Sequence, residues 1–109
     1  MRLDLLLTYK ALAAAALLAA TGAAMAQDAA ALRQHALAAT CANCHGTQGR
    51  AIDGAAVPGL AGMPAVYLVE QMKAFKAGTR PATVMHQLAK GYSDAQIDQI
   101  AAYFAAQKK

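Results

Sequence analysis

The chain has 109 residues, 58% hydrophobic and 15% charged, with a formal net charge of +4 at pH 7. That length holds one small domain, and the mild positive balance comes without the Lys/Arg clusters and interleaved aromatics of a nucleic-acid surface.

Residues 1–26 read as a secretory leader. Arg2 and Lys10 give a positive start, the run Ala11–Ala20 is built of alanine and leucine, and Ala24-Met25-Ala26 is an A-x-A cleavage site. The apolar run is short for a spanning helix, which needs about 20 residues. The expected division is a signal peptide at 1–26 and one domain at 27–109. No membrane span is expected after cleavage, and an uncleaved anchor is the alternative. The domain is alanine-rich, so its core is thin and calls for a staple.

Asp28 to about Asn43 is predicted as the first helix. Asp28 stands at the capping position, and Leu32, Ala36 and Ala39 recur as an apolar stripe. His35 lies off that stripe, beside Gln34 and Arg33, as a solvated surface residue.

The helix leads into Cys41-Ala42-Asn43-Cys44-His45-Gly46. Cys-x-x-Cys-His is the attachment signature of a c-type haem. Cysteines three positions apart near a helix end lie about one turn apart on one side of the backbone, a separation that suits thioether bonds to two vinyl groups of one porphyrin. The following histidine is placed to reach the iron as proximal ligand. A thioredoxin-like dithiol expects a preceding strand in a βαβ setting, and none is visible. A zinc site would have to be completed by His35 and His86, neither with finger-like spacing. One covalent haem c, held by Cys41, Cys44 and His45, is therefore the expected cofactor. Export agrees with it, since c-type haem is attached outside the cytoplasm, and the expected location is the periplasm.

Gly46–Gly62 is glycine-rich, with no sustained period, and reads as a loop. So long an irregular stretch in a small domain implies that it wraps something. Pro58 has only a carbonyl to offer from its backbone. It is either the acceptor for the Nδ1–H of His45, fixing that tautomer, or a plain turn proline.

Pro64–Ala77 is predicted as the second helix, with proline in its first turn and Gly78 just past its end. Leu68, Met72 and Phe75 share its core face. A loop from Thr79 to Val84 delivers Met85 and His86, and a short helical turn ends at Gly91. Ser93 and Gln96 then form a capping box, with Tyr92 set to pack on Ile97. Ile97, Ile100, Ala101 and Phe104 give the last apolar stripe. No strand candidate appears; the expected fold is all-α.

The distal iron ligand has five candidates: Met63, Met72, Met85, His35 and His86. Met72 lies on a packing stripe, His35 on the surface, and Met63 close to the proximal loop. Met85 ends a proline-containing loop well separated from the motif, which lets the chain cross to the distal side. His86 is the rival. A thioether opposite an imidazole favours ferrous iron and suits electron transfer; two histidines would lower the potential.

CANCHG, PGLAG, YLVEQMKAFKAGTR and TVMHQLAKGYSDAQIDQIAAYFA together resemble a bacterial class I cytochrome c. More narrowly, the pattern is similar to the cytochrome subunit of flavocytochrome c sulfide dehydrogenase. The resemblance implies three main helices and a short one wrapped around one haem, with Met85 as distal ligand and Pro58 as carbonyl partner of His45. It implies an electron-transfer protein rather than an enzyme in its own right, taking electrons from a flavoprotein subunit that oxidises sulfide. The alternatives are a freely diffusing carrier, or a haem protein whose labile distal site binds small ligands. Lys73, Lys76, Arg80 and Lys90 are expected near the distal side, where they would steer an acidic redox partner.

Overall fold

The computed structural model describes residues 2–109; side chains at 2–4, 19–21, 23, 24 and 26 lie outside the description. Part of the leader reading, on Arg2, Ala24 and Ala26, falls on those side chains. Two compact units are present, residues 1–33 and 34–109. Among the described residues five α-helices occur in order: α1 (Arg2–Ala39), α2 (Ala42–His45), α3 (Ala65–Ala77), α4 (Met85–Leu88) and α5 (Asp94–Ala105). No strand occurs among the described residues.

In the first unit α1 carries exposed leucines, among them Leu5, Leu12 and Leu17. Among the described residues no helix is long and apolar enough to cross a membrane. The helix does not begin at Asp28, because alanine-rich sequence on both sides of that residue continues the same backbone, and a cap acts only where a helix starts.

In the second unit α1 stops at Ala39. The Thr40 hydroxyl donates to the Leu37 carbonyl at 2.7 Å, taking an acceptor the next helical turn would have used. The predicted single helix to Asn43 is thus broken at Thr40–Cys41. The stripe is corrected as well. Leu32, Ala36 and Ala39 are exposed, whereas Ala38 is buried and Leu37 and Cys41 pack against the same core. Alanine on every face leaves periodicity little contrast to work with, so tertiary packing chose the face.

Helix α3 starts after Pro64 and ends at Gly78, whose left-handed backbone (φ 76°) returns its N–H to the Ala74 and Phe75 carbonyls. Helix α5 is opened by a reciprocal capping box. Gln96 N donates to Ser93 Oγ at 3.2 Å, and Ser93 N donates to Gln96 Oε1 at 2.9 Å. Its predicted stripe is buried, with Tyr103 added. Ile97 and Phe104 are the largest fully buried side chains, each stabilising the fold by about 1.5–3 kcal/mol relative to exposure. Helix α3 packs on α5 and α4.

The glycine-rich segment is not wholly irregular: Thr47–Gly49 forms a 3-10 turn. The loop then folds back on itself, with Leu60 N and Ala61 N both donating to the Gly49 carbonyl at 2.7 and 3.1 Å. Gly62 N donates to Phe104 O at 2.9 Å, and Arg50 Nε donates to Lys108 O at 3.0 Å, so the loop is tied to the end of α5.

The core itself is thin. Four of the nine buried hydrophobic residues described are alanine. Such residues bury little area, so a chain of this size must find apolar volume elsewhere.

Candidate functional site

One helical turn holds the motif. His45 N donates to Cys41 O at 3.0 Å and Gly46 N to Ala42 O at 3.0 Å, which fixes Cys44 and His45 within α2 and Cys41 at its N-cap. Gly46 then leaves the helix at φ 83°, and a Cβ there would stand 2.0 Å from the Arg50 carbonyl oxygen. Only glycine makes that exit.

Behind α2 lies a cavity of about 420 Å³, within the roughly 300–1,000 Å³ span of small-molecule and cofactor sites. Cys41, Cys44 and His45 line it, with Leu60, Leu68 and Phe75 among its apolar walls. Met63, Met72 and Met85 line it too, and Pro58 is at its edge. Of the five candidates for the distal position, His35 and His86 do not line it. His35 is exposed, and its ring meets Tyr103 edge-on at 4.9 Å between centroids. His86 turns its Nδ1 into a buried place without a partner. Met85 enters from α4, which packs on α3 rather than to a comparable extent on α2. His45 and Met85 therefore reach one cavity from different elements.

His45 is buried, and its Nδ1 lies 2.7 Å from the Pro58 carbonyl oxygen. A carbonyl only accepts, so this contact places the proton on Nδ1 and leaves the lone pair on Nε2. The two thiols differ in setting. Cys44 is exposed, while Cys41 is half-buried. Burial pushes the Cys41 thiol above its ordinary range, against the Thr40 hydroxyl 3.8 Å from its sulfur, and the neighbouring Cys44 adds to the rise.

The residues present fit a covalent haem: two thiols and an imidazole from one turn, a thioether from another element, and an apolar hollow between them. Among the described residues no group of three or more His, Cys, Asp or Glu could hold a bare metal ion. The donors suit iron already carried by a macrocycle.

Three polar residues of the site escape hydrophobic periodicity. Thr40 and Tyr92 join hydroxyl to hydroxyl at 2.7 Å, and Gln71 hydrogen-bonds the guanidinium of Arg80. Their partners are remote in sequence, and only their hydrogen-bonding capacity could have marked them. Two of the basic residues expected to steer a partner share one acidic neighbour at the surface. Lys76 Nζ donates to Tyr92 O at 2.7 Å and to Asp94 Oδ1 at 3.0 Å, and Lys73 lies 3.6 Å from the same carboxylate. Long side chains at the end of α3 reach the start of α5, and this is what redirects their charge.

An all-helical domain with this motif and this cavity is a class I c-type cytochrome. Residues 29–108 match the cytochrome c family, and the chain belongs to it. It is 41% identical over 71 residues to the thiosulfate dehydrogenase electron acceptor of Thiomonas intermedia (strain K12), covering 65% of this chain and 33% of that protein. It is 40% identical over 72 residues to cytochrome c-554(548) of Halomonas halodenitrificans, covering 63% and 86%. It is 39% identical over 72 residues to the cytochrome subunit of sulfide dehydrogenase of Chlorobaculum tepidum, covering 66% and 64%. Among solved structures, cytochrome c4 of Acidithiobacillus ferrooxidans aligns with a TM-score of 0.57 at 38% identity, over 61% of this chain and 37% of that one. The chain thus spans about a third of the first of these relatives and nearly all of the second. The family's cofactor is covalently bound haem c, and its work is electron transfer.

Proposed function

We propose that this cytochrome is a periplasmic electron carrier with His/Met-ligated iron, released by cleavage after Ala26. In this reading Cys41 and Cys44 hold the haem, His45 and Met85 are the axial ligands, and the Pro58 carbonyl orients His45. The single observation that carries it is that these donors line one largely apolar cavity, with the His45 Nδ1 already engaged by Pro58 at 2.7 Å. Bound haem supplies an iron that cycles between ferric and ferrous. The chain's own residues do the rest. Pro58 keeps the proton on Nδ1 and so leaves the Nε2 lone pair free to bind iron. Leu60, Leu68 and Phe75 keep water from the site and favour the less charged, reduced state. Met85 would hold the iron on the side away from His45 and so keep substrates from it.

Its donor in this proposal is a flavoprotein subunit of a sulfide dehydrogenase, supported by the match to a sulfide dehydrogenase cytochrome subunit. A free carrier is the second reading, favoured by the match that covers 86% of the small cytochrome c-554(548). Met85→Ala tests the ligation. The haem should stay attached, the potential should fall, and the ferric iron should bind cyanide. Loss of the long-wavelength Met–ferric band in Met63→Ala instead of Met85→Ala would overturn the assignment.

A further inference from the structure

Helix α3 has two faces with different surroundings. Leu68, Gln71, Met72 and Phe75 line the cavity described above. Ala65, Val66, Val69 and Glu70 line a separate, open hollow of about 350 Å³, together with Asp98 of α5. With 3.6 residues per turn the two sets fall on opposite sides of the helix. Ala65 and Val69 pack against the core and give the hollow a fixed floor. Val66 stands beside them 71% exposed, an apolar side chain left to solvent.

Charge changes character along the seam between α3 and α5. At one step Lys73 faces Asp94 at 3.6 Å, and Lys76 Nζ reaches the same carboxylate at 3.0 Å. About one turn further along each helix stand Glu70 and Asp98, both carboxylates and both exposed. Among the described residues neither has a cation at ion-pair distance, because the lysines of α3 are drawn to Asp94. Two uncompensated acids therefore border one apolar floor in a chain whose net charge is +4. The group that fits is a cation on an apolar stem. Lysine and arginine lay such stems along apolar surface and keep the charged head at its edge, and the arginine fork also matches a carboxylate's two oxygens.

We infer that this hollow is a docking site for a basic segment of a partner protein. The segment lays the stem of an arginine or lysine on Ala65, Val66 and Val69 and sets its charge between Glu70 and Asp98. A second copy related by a two-fold axis would bring acid against acid, and an anionic lipid surface or nucleic acid is repelled in the same way. Val84 and Leu88, exposed residues that line the haem cavity, are not part of the hollow. A partner held on the reverse face of α3 thus leaves that cavity free for electron exchange. The contact is small and exposed, so it is weak and salt-sensitive. It does not depend on which residue binds the iron.

The test is a titration of the reduced, 15N-labelled holo-protein, followed by amide chemical shifts. The probe is a capped amphipathic peptide of alanine, leucine and arginine, and its twin carries glutamate in place of arginine. The arginine peptide should give saturable shifts at Val66, Val69, Glu70 and Asp98, reversed by added salt, with Val84 and Leu88 unmoved. The glutamate twin should give none. Glu70→Gln combined with Asp98→Asn should weaken the arginine peptide about tenfold, the worth of two exposed ion pairs. Val66→Ser should weaken it without any change of charge. Circular dichroism checks the fold of each variant, and if one fails to fold, the map on the wild type and the glutamate twin decide. Shifts centred on Val84 and Leu88, equal binding of the twin, or no saturable shift would overturn the proposal. Shifts of the same amides that grow with protein concentration in the absence of peptide would assign the hollow to a second copy and also overturn it.

Discussion

The hydroxyl of Tyr92 lies 2.7 Å from the hydroxyl of Thr40, which joins the residue leading into α5 to the residue beside Cys41. The Tyr92 carbonyl is held by Lys76. One tyrosine thus links the motif, α3 and the start of α5. Its loss loosens the site without removing any proposed ligand. Tyr92→Phe should keep the haem and cost about 1 kcal/mol of unfolding free energy, the usual worth of one neutral hydrogen bond. Urea unfolding of the ferric protein measures it, and Thr40→Val combined with Tyr92→Phe should cost little more than Thr40→Val alone, which also loses the hydroxyl's bond to the Leu37 carbonyl.

Asp94 makes stability depend on pH. The hydrogen bond and charge of Lys76 hold its carboxyl below the usual range, with Lys73 adding to the effect. A folded-state pKa below the unfolded one means the unfolded chain binds more protons, so the stabilisation is present above the ordinary carboxylate pKa, about 3.9, and is lost as pH falls through the lowered value. Asp94→Asn should therefore lower Tm at pH 7. The gap to wild type should close in acid, as a series of melts from pH 7 to pH 2 would show.

Gly49 is wedged where no side chain fits. Its φ is 77°, and a Cβ would meet the Phe104 ring at 2.7 Å and Ala61 N at 2.9 Å. Phe104 is fully buried and cannot move aside. Gly49→Ala adds the left-handed backbone penalty to overpacking and should cost on the order of 3 kcal/mol, read as a fall in the urea midpoint. Gly54→Ala keeps a comparable backbone strain (φ 78°) in open space and should cost less.

Sequence and structure agree where local chemistry is strong. Gly78 and the Ser93–Gln96 box mark helix ends by hydrogen bonds that form within a few residues, and Ile97, Ile100 and Phe104 repeat at a helical period with large side chains. The first helix is hard to read because its signal is alanine. Nothing in Leu32, Ala36 and Ala39 distinguishes them from Leu37 and Ala38 until α5 is folded beside one set. The partners of Lys76 and Arg80 cannot be read from the sequence, because Tyr92, Asp94 and Gln71 are distant in it or one among many polar residues of α3. The donor set of the site is compact in sequence at Cys41–His45, which made it legible. The cavity that unites it with Met85 is a property of the packed helices.

Attachment of one haem to Cys41 and Cys44 through two thioether bonds is tested most directly by the alkaline pyridine haemochrome spectrum of the exported protein after acid–acetone extraction. The haem should stay with the protein and show the band of a porphyrin with both vinyl groups saturated. Haem that leaves with the solvent, or a band of intact vinyl groups, would contradict it.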